Sequence, residues 1–133
     1  MENKKTNVSY LSYTRLHSSD SKSILLACDV LKNGGIIVYH TDTIYGFGCD
    51  ARNDKAIINL NKIKRRSGPM SVLINNIKKS QDWMKISLQL KQEAAHKLIK
   101  GATIIVPVKK NIVSNLITGN PMTLGMRVPK NTF

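Results

Sequence analysis

Gly35-Ile36-Ile37-Val38-Tyr39-His40-Thr41-Asp42-Thr43-Ile44-Tyr45-Gly46-Phe47-Gly48-Cys49-Asp50-Ala51 is the stretch whose reading decides the fold. Its first part, Ile36 to Tyr39, is a short β-branched run behind a glycine and reads as a buried strand. Its second part, Thr41 to Asp50, is polar and punctuated by Gly46 and Gly48, and reads as a loop at that strand's C-terminal end. The hydroxyls of Thr41, Thr43 and Tyr45 and the two glycines make a place where backbone N–H groups and side chains meet a polar ligand. The competing reading is a polar turn whose Thr and Asp side chains satisfy local backbone groups.

On the N-terminal side of this stretch, Ser19 or Asp20 caps a helix running to about Lys32. Ile24, Ala27, Cys28 and Leu31 give that helix its apolar spacing, and Asn33-Gly34 stops it. Residues 1–20 form a polar lead-in, partly ordered around Tyr10, Leu11, Tyr13 and Leu16, and residues 21–133 form one domain. On the C-terminal side, Asn53 or Asp54 starts a second helix with Ala56, Ile57, Leu60 and Ile63 on one face. Strands are expected at Met70–Ile74, Thr103–Val108 and Thr123–Val128. Asn75–Lys85 reads as a short helix anchored by Trp83. Ser87 caps another helix, through Leu90, Ala94 and Leu98, that ends at Gly101. Lys109–Asn120 reads as a loop with a short apolar turn. Strands alternating with helices give an α/β or α+β domain, with strand pairing left open.

The 133 residues fit one domain that buries a core without staples. Lys and Arg number 21 against 8 Asp and Glu, a net charge of +13. That surplus either favours polyanions through phosphate contacts or is simply a solvated surface. Cys28 and Cys49 have no metal-ligand spacing and read as reduced, partly buried thiols, which argues against structural zinc. No apolar run has the length of a membrane span and the N-terminus has no signal-peptide pattern, so a cytoplasmic protein is expected.

Two further segments carry charge where chemistry could use it. Lys62-Ile63-Lys64-Arg65-Arg66-Ser67-Gly68-Pro69 places four cations at a helix end. Capping the helix dipole needs fewer, and a triphosphate or a carboxylate would suit the surplus. In Thr123-Leu124-Gly125-Met126-Arg127-Val128-Pro129, an arginine inside an apolar strand needs a partner. Either Arg127 meets an acidic side chain such as Asp42 or Asp50, or it awaits an anionic ligand. Neither a Rossmann nor a Walker glycine pattern occurs, so a nucleotide site here is of another kind.

Taken in order, His40-Thr41-Asp42-Thr43-Ile44-Tyr45-Gly46-Phe47, then Lys64-Arg65-Arg66 followed by Pro69-Met70-Ser71-Val72-Leu73-Ile74, then Arg127-Val128-Pro129, resemble the motifs of the Sua5/YrdC family. The match covers roughly residues 22–130. The resemblance implies an α/β fold with an open twisted mixed sheet and flanking helices, present here in part. It implies a nucleotidyltransferase, L-threonylcarbamoyladenylate synthase, that uses L-threonine, bicarbonate and ATP, with Mg²⁺ accompanying the ATP. The product serves the t6A modification of tRNA, so tRNA or RNA and proteins of that pathway are implied partners. Carried over by motif, Thr41, Thr43, Tyr45, Ser71 and Arg127 would bind threonine. Lys64 and Arg66 would hold ATP phosphates and bicarbonate and serve as the catalytic cations, while Ser67 and Thr123 would approach ATP.

The chain departs from the family pattern in three places. His40 stands where the family has Pro, the turn from Arg66 to Pro69 is shorter than usual, and no Ser-x-Asn follows Arg127. From the last departure, a chain lacking the family's C-terminal part is expected to fold but to make product poorly or not at all. The alternatives are a non-catalytic RNA- or nucleotide-binding module and a fragment acting only within a complex.

Overall fold

The computed structural model describes residues 14–130. Tyr10, Leu11 and Tyr13 of the lead-in lie outside the described residues, and Leu16 within them is exposed. Asp20 caps α1 (Ser21–Lys32) by accepting from the Lys22 N–H, and Asn33 closes it. The chain then forms β1 (Ile37–His40) and returns as β2 (Tyr45–Gly48), an antiparallel hairpin with Val38 opposite Phe47 and His40 opposite Tyr45. The expected loop over Thr41–Asp50 is therefore a tight turn plus a strand. One of the glycines that suggested a loop serves a different end, because Gly48 leaves room for the Tyr39 ring, from which a Cβ there would lie 2.6 Å.

Asn53 caps α2 (Asp54–Lys64), whose Ala56, Ile57 and Leu60 are buried. After β3 (Ser71–Leu73) come α3 (Ile77–Gln81) and α4 (Leu88–Ile99), capped by Asn76 and Ser87. β4 (Ile104–Pro107), a 3₁₀ turn (Asn115–Ile117) and β5 (Thr123–Arg127) complete the described elements. The 3₁₀ turn is tied down twice. Ser114 donates its hydroxyl to Asp54 at the start of α2, and the Met70 N–H donates to Ile117 O just before β3.

β5 lies between β3 and β4, parallel to the first and antiparallel to the second. The mixed sheet is thus present, as three strands, with the β1–β2 hairpin a separate two-stranded sheet. Side chains alternate across β5. Leu124 and Met126 point inward and join Ile57, Ile74, Met84, Leu98, Ile104, Val108 and Ile117 in one core cluster. Thr123, Gly125 and Arg127 face the other way, with Ser71 and Leu73 of β3 and Ile105 of β4 on the same outer face.

Three expectations about burial need correction. Strand β1 is not a buried strand, since Val38 is 60% exposed, and a lone hairpin has one face with nothing to pack on. Ile24 and Cys28 of α1 are exposed, because α1 packs on the hairpin (it contacts β1) and not on the main core. Ile63 at the end of α2 is also exposed, the helix having turned away by its last turn.

Candidate functional site on the outer face of the sheet

The hairpin turn is built by one hydroxyl. Thr41 Oγ1 donates to Ile44 O at 2.7 Å and accepts from the Thr43 and Ile44 N–H groups, both at 3.2 Å. It also lies 3.0 Å from Thr43 Oγ1. A hydroxyl has one proton to give; Thr41 gives its own to Ile44 O, so Thr43 is the donor in their contact and both protons are held inside the turn, while Thr43, exposed at the tip, keeps oxygen lone pairs open to a ligand. Tyr45 is 74% exposed, with its ring tilted against His40 at 6.1 Å between centroids.

Between Thr41 and Thr43, Asp42 points the other way, into the sheet. Its Oδ2 accepts from Arg127 Nη2 at 2.8 Å and from the Lys130 N–H at 3.3 Å. The Asp42 side chain is 10% exposed and that of Arg127 25%. The hydrogen bond from Arg127 holds the Asp42 carboxyl below the usual carboxylate range, against the opposing effect of desolvation. Of the two acidic partners open to Arg127 on sequence grounds, the structure selects Asp42; Asp50 instead pairs with Arg52, which lowers its own pKa. Nearby, burial pushes the Tyr39 phenol and the Cys49 thiol up, so neither is an anion at neutral pH. Cys49 is partly buried as expected, whereas Cys28 is exposed, and both are free.

Ser71, Gly125 and Ile105 form one row across the outer face, and Leu73 and Arg127 the next, as the strand registers dictate. Thr123 begins β5 two residues earlier, beside Gly119. Thr123 and Arg127 therefore lie about 13 Å apart along the strand, four residues at the usual rise. The basic turn feeds β3 at the end where β5 begins. Lys64 ends α2, and Arg65 turns left-handed (φ 51°), its N–H bonded to Asn61 O and Lys62 O. Lys64, Arg65, Arg66 and Ser67 are exposed, and among the described residues the two ion pairs, Arg52–Asp50 and Arg127–Asp42, leave these cations without an acidic partner. Along the sheet, the cationic, hydroxyl-bearing turn thus stands at the end where β5 begins, and Arg127 and the hairpin turn stand at the other. Ser71 lies between them.

A family model for Sua5, YciO and YrdC proteins, described as telomere recombination, matches residues 29–133. The chain belongs to the Sua5/YciO/YrdC family. It is 31% identical over 112 residues to the threonylcarbamoyl-AMP synthase of Aliivibrio fischeri, a match covering 80% of this chain and 60% of that protein. The threonylcarbamoyl-AMP synthase of Riesia pediculicola is 33% identical over 106 residues, 75% of this chain and 56% of the relative. The chain thus spans little more than half the length of these family members. Among solved structures, the crystal structure of P. abyssi Sua5 complexed with L-threonine aligns with a TM-score of 0.74 at 22% identity, over 89% of this chain and 34% of that one. At that identity the likeness bears on the fold, which is of the YrdC type.

Two features of this family member's site are absent from the sequence reading. Gly125 makes room for Ser71, since a Cβ at 125 would meet the Ser71 Oγ at 2.5 Å. Lys130 reaches Asp42 through its backbone N–H, a contact that no side-chain pattern could signal. The glycine in an otherwise apolar strand was a readable sign of close approach.

Proposed function

We propose that this chain carries the substrate-binding face of an L-threonylcarbamoyladenylate synthase. L-threonine, bicarbonate and ATP become threonylcarbamoyl-AMP, pyrophosphate and water. The observation that carries this reading is the polarity along the sheet: cations without an acidic partner among the described residues, with Thr123, at one end, and a mostly buried arginine beside a hydroxyl-lined turn about 13 Å from Thr123 at the other. Such a face suits a triphosphate at one end and an amino-acid carboxylate at the other.

In this reading Lys64 and Arg66 bind the ATP phosphates and the bicarbonate, with Ser67 and Thr123 alongside. Arg127 takes the threonine carboxylate through its fork of N–H groups. Thr43 and Tyr45 wall the amino acid, Thr41 shapes the turn that presents them, and Ser71 lines the space between the ends. The chemistry brings several anions together, so fixed cations supply positioning and charge stabilisation. Among the described residues no three His, Cys, Asp or Glu side chains cluster. The donor set therefore offers Mg²⁺ no cage, and the ion would be held by the triphosphate, whose charge it would neutralise.

The product is a donor for tRNA modification, and tRNA and proteins acting on it are the proposed partners. The surplus of cations is the feature that would meet RNA phosphates. The proposed compartment is the cytoplasm; no described helix is long and apolar enough to cross a membrane. Calorimetric titration of L-threonine and of ATP into the chain tests the reading. Saturable binding of both ligands is the expected result, whether or not this chain turns them over. Binding of neither would contradict the reading.

A further inference from the structure

We propose that Asp42 is a positioning residue: it fixes the Arg127 guanidinium, and with it the spacing between the hairpin turn and the end of β5, so that an amino-acid carboxylate finds a preset fork. The inference rests on the proposed threonine site and adds to it a residue that touches no substrate.

Three observations meet at this carboxylate. Asp42 is nine-tenths buried, and its Oδ2 takes both the Arg127 Nη2–H and the Lys130 N–H. One oxygen therefore ties the hairpin turn to the β5 side chain and to the backbone three residues further on. Its Oδ1, by contrast, is buried with no hydrogen-bond partner among the described residues. Arg127 spends one N–H on Asp42, and among the described residues its remaining donors have no acceptor.

A half-satisfied buried carboxylate is a poor stabiliser, because desolvation of the unbonded oxygen offsets the attraction gained at the other. The consequence of the pair is geometric. A free arginine samples many rotamers, and holding it by one edge leaves the rest of its planar fork aimed in a fixed direction. The same oxygen sets how far Thr43, at the tip of the turn, and Tyr45, just after it, stand from that fork. Asp42 Oδ1 is too enclosed to contact a ligand without rearrangement, so its effect on binding passes through Arg127.

The test uses Asp42→Asn and Asp42→Glu in the full chain, with two kinds of readout. Calorimetry gives the affinities for L-threonine and ATP, and ¹⁵N NMR follows the Arg127 guanidinium resonances without any ligand. Asp42→Asn is expected to weaken threonine binding at least about tenfold while ATP affinity stays within about twofold. The resolved guanidinium signals should broaden or vanish, and Asp42→Glu should recover part of both. Unchanged threonine affinity and guanidinium signals in Asp42→Asn would overturn the proposal. Equal loss of threonine and ATP affinity would also overturn it, since Asp42 would then only hold the fold. A wild-type chain with held Arg127 signals that depend on Asp42, but with no threonine binding, would support the positioning of Arg127 and overturn the substrate reading instead.

Discussion

Gly125 stands beside Ser71 across the parallel β3–β5 pair, so close that an added Cβ would lie 2.5 Å from Ser71 Oγ and 3.2 Å from the Ser71 Cα. The hydroxyl could rotate away, but the Cα cannot move without shifting the strand. Gly125→Ala is therefore expected to cost about 1–3 kcal/mol of stability through overpacking. It should also weaken ligand binding on the outer face, because Ser71 is pushed into it. Urea denaturation and an L-threonine titration of the same variant check both effects; a variant as stable as wild type would show that the strands have slack.

The two faces of the sheet should respond differently to truncation. Leu124 is 1% exposed within the core cluster, and Leu124→Ala is expected to cost about 2–5 kcal/mol. Ile105, on the neighbouring strand but 73% exposed, should change stability by no more than about 0.5 kcal/mol when replaced by Ala. Similar losses at both positions in denaturant melts would mean that the outer face is covered.

Much of this architecture was legible because the signals were local. Asp20, Asn53 and Ser87 announce their helices as caps, and each accepts the expected backbone N–H. The Leu124/Met126 alternation marks β5 as a strand with one buried face. What failed to show was long-range. Tyr45–Gly48 looks like a loop because its glycines weaken strand propensity, yet Gly48 is there to admit the Tyr39 ring. Exposure of Ile24 and Val38 depends on what packs against them, which periodicity cannot reveal. At the site, the Arg127–Asp42 pair was one of two acidic partners open from sequence, and only the fold decides between residues 85 positions apart.

The acid side of the stability profile should carry the mark of Asp42. Its folded pKa is depressed, chiefly by the Arg127 hydrogen bond, so its contribution is present above the unfolded value and lost as pH falls through the folded one. The stability difference between wild type and Asp42→Asn should stay constant from about pH 7 to about pH 5 and shrink below about pH 4. Thermal melts across that range read it directly. A difference that fades above about pH 5 would contradict the depressed pKa.

Lys64 and Arg66 are expected to matter for nucleotide and not for folding. Both are exposed and outside any ion pair among the described residues. Lys64→Ala and Arg66→Ala should each weaken ATP binding by roughly 1–3 kcal/mol, the range for a lost charge-assisted contact. Melting temperatures should barely move. Unchanged ATP affinity in both variants would remove the triphosphate from this end of the face.

The most direct measurement of the central claim is a calorimetric titration of L-threonine and of ATP into the wild-type chain and into Arg127→Gln. An outer face with an amino-acid end and a nucleotide end predicts that wild type binds both ligands, and that Arg127→Gln loses L-threonine while keeping ATP affinity near wild type. Equal threonine binding by the two proteins would contradict the account and leave Arg127 as a structural partner of Asp42.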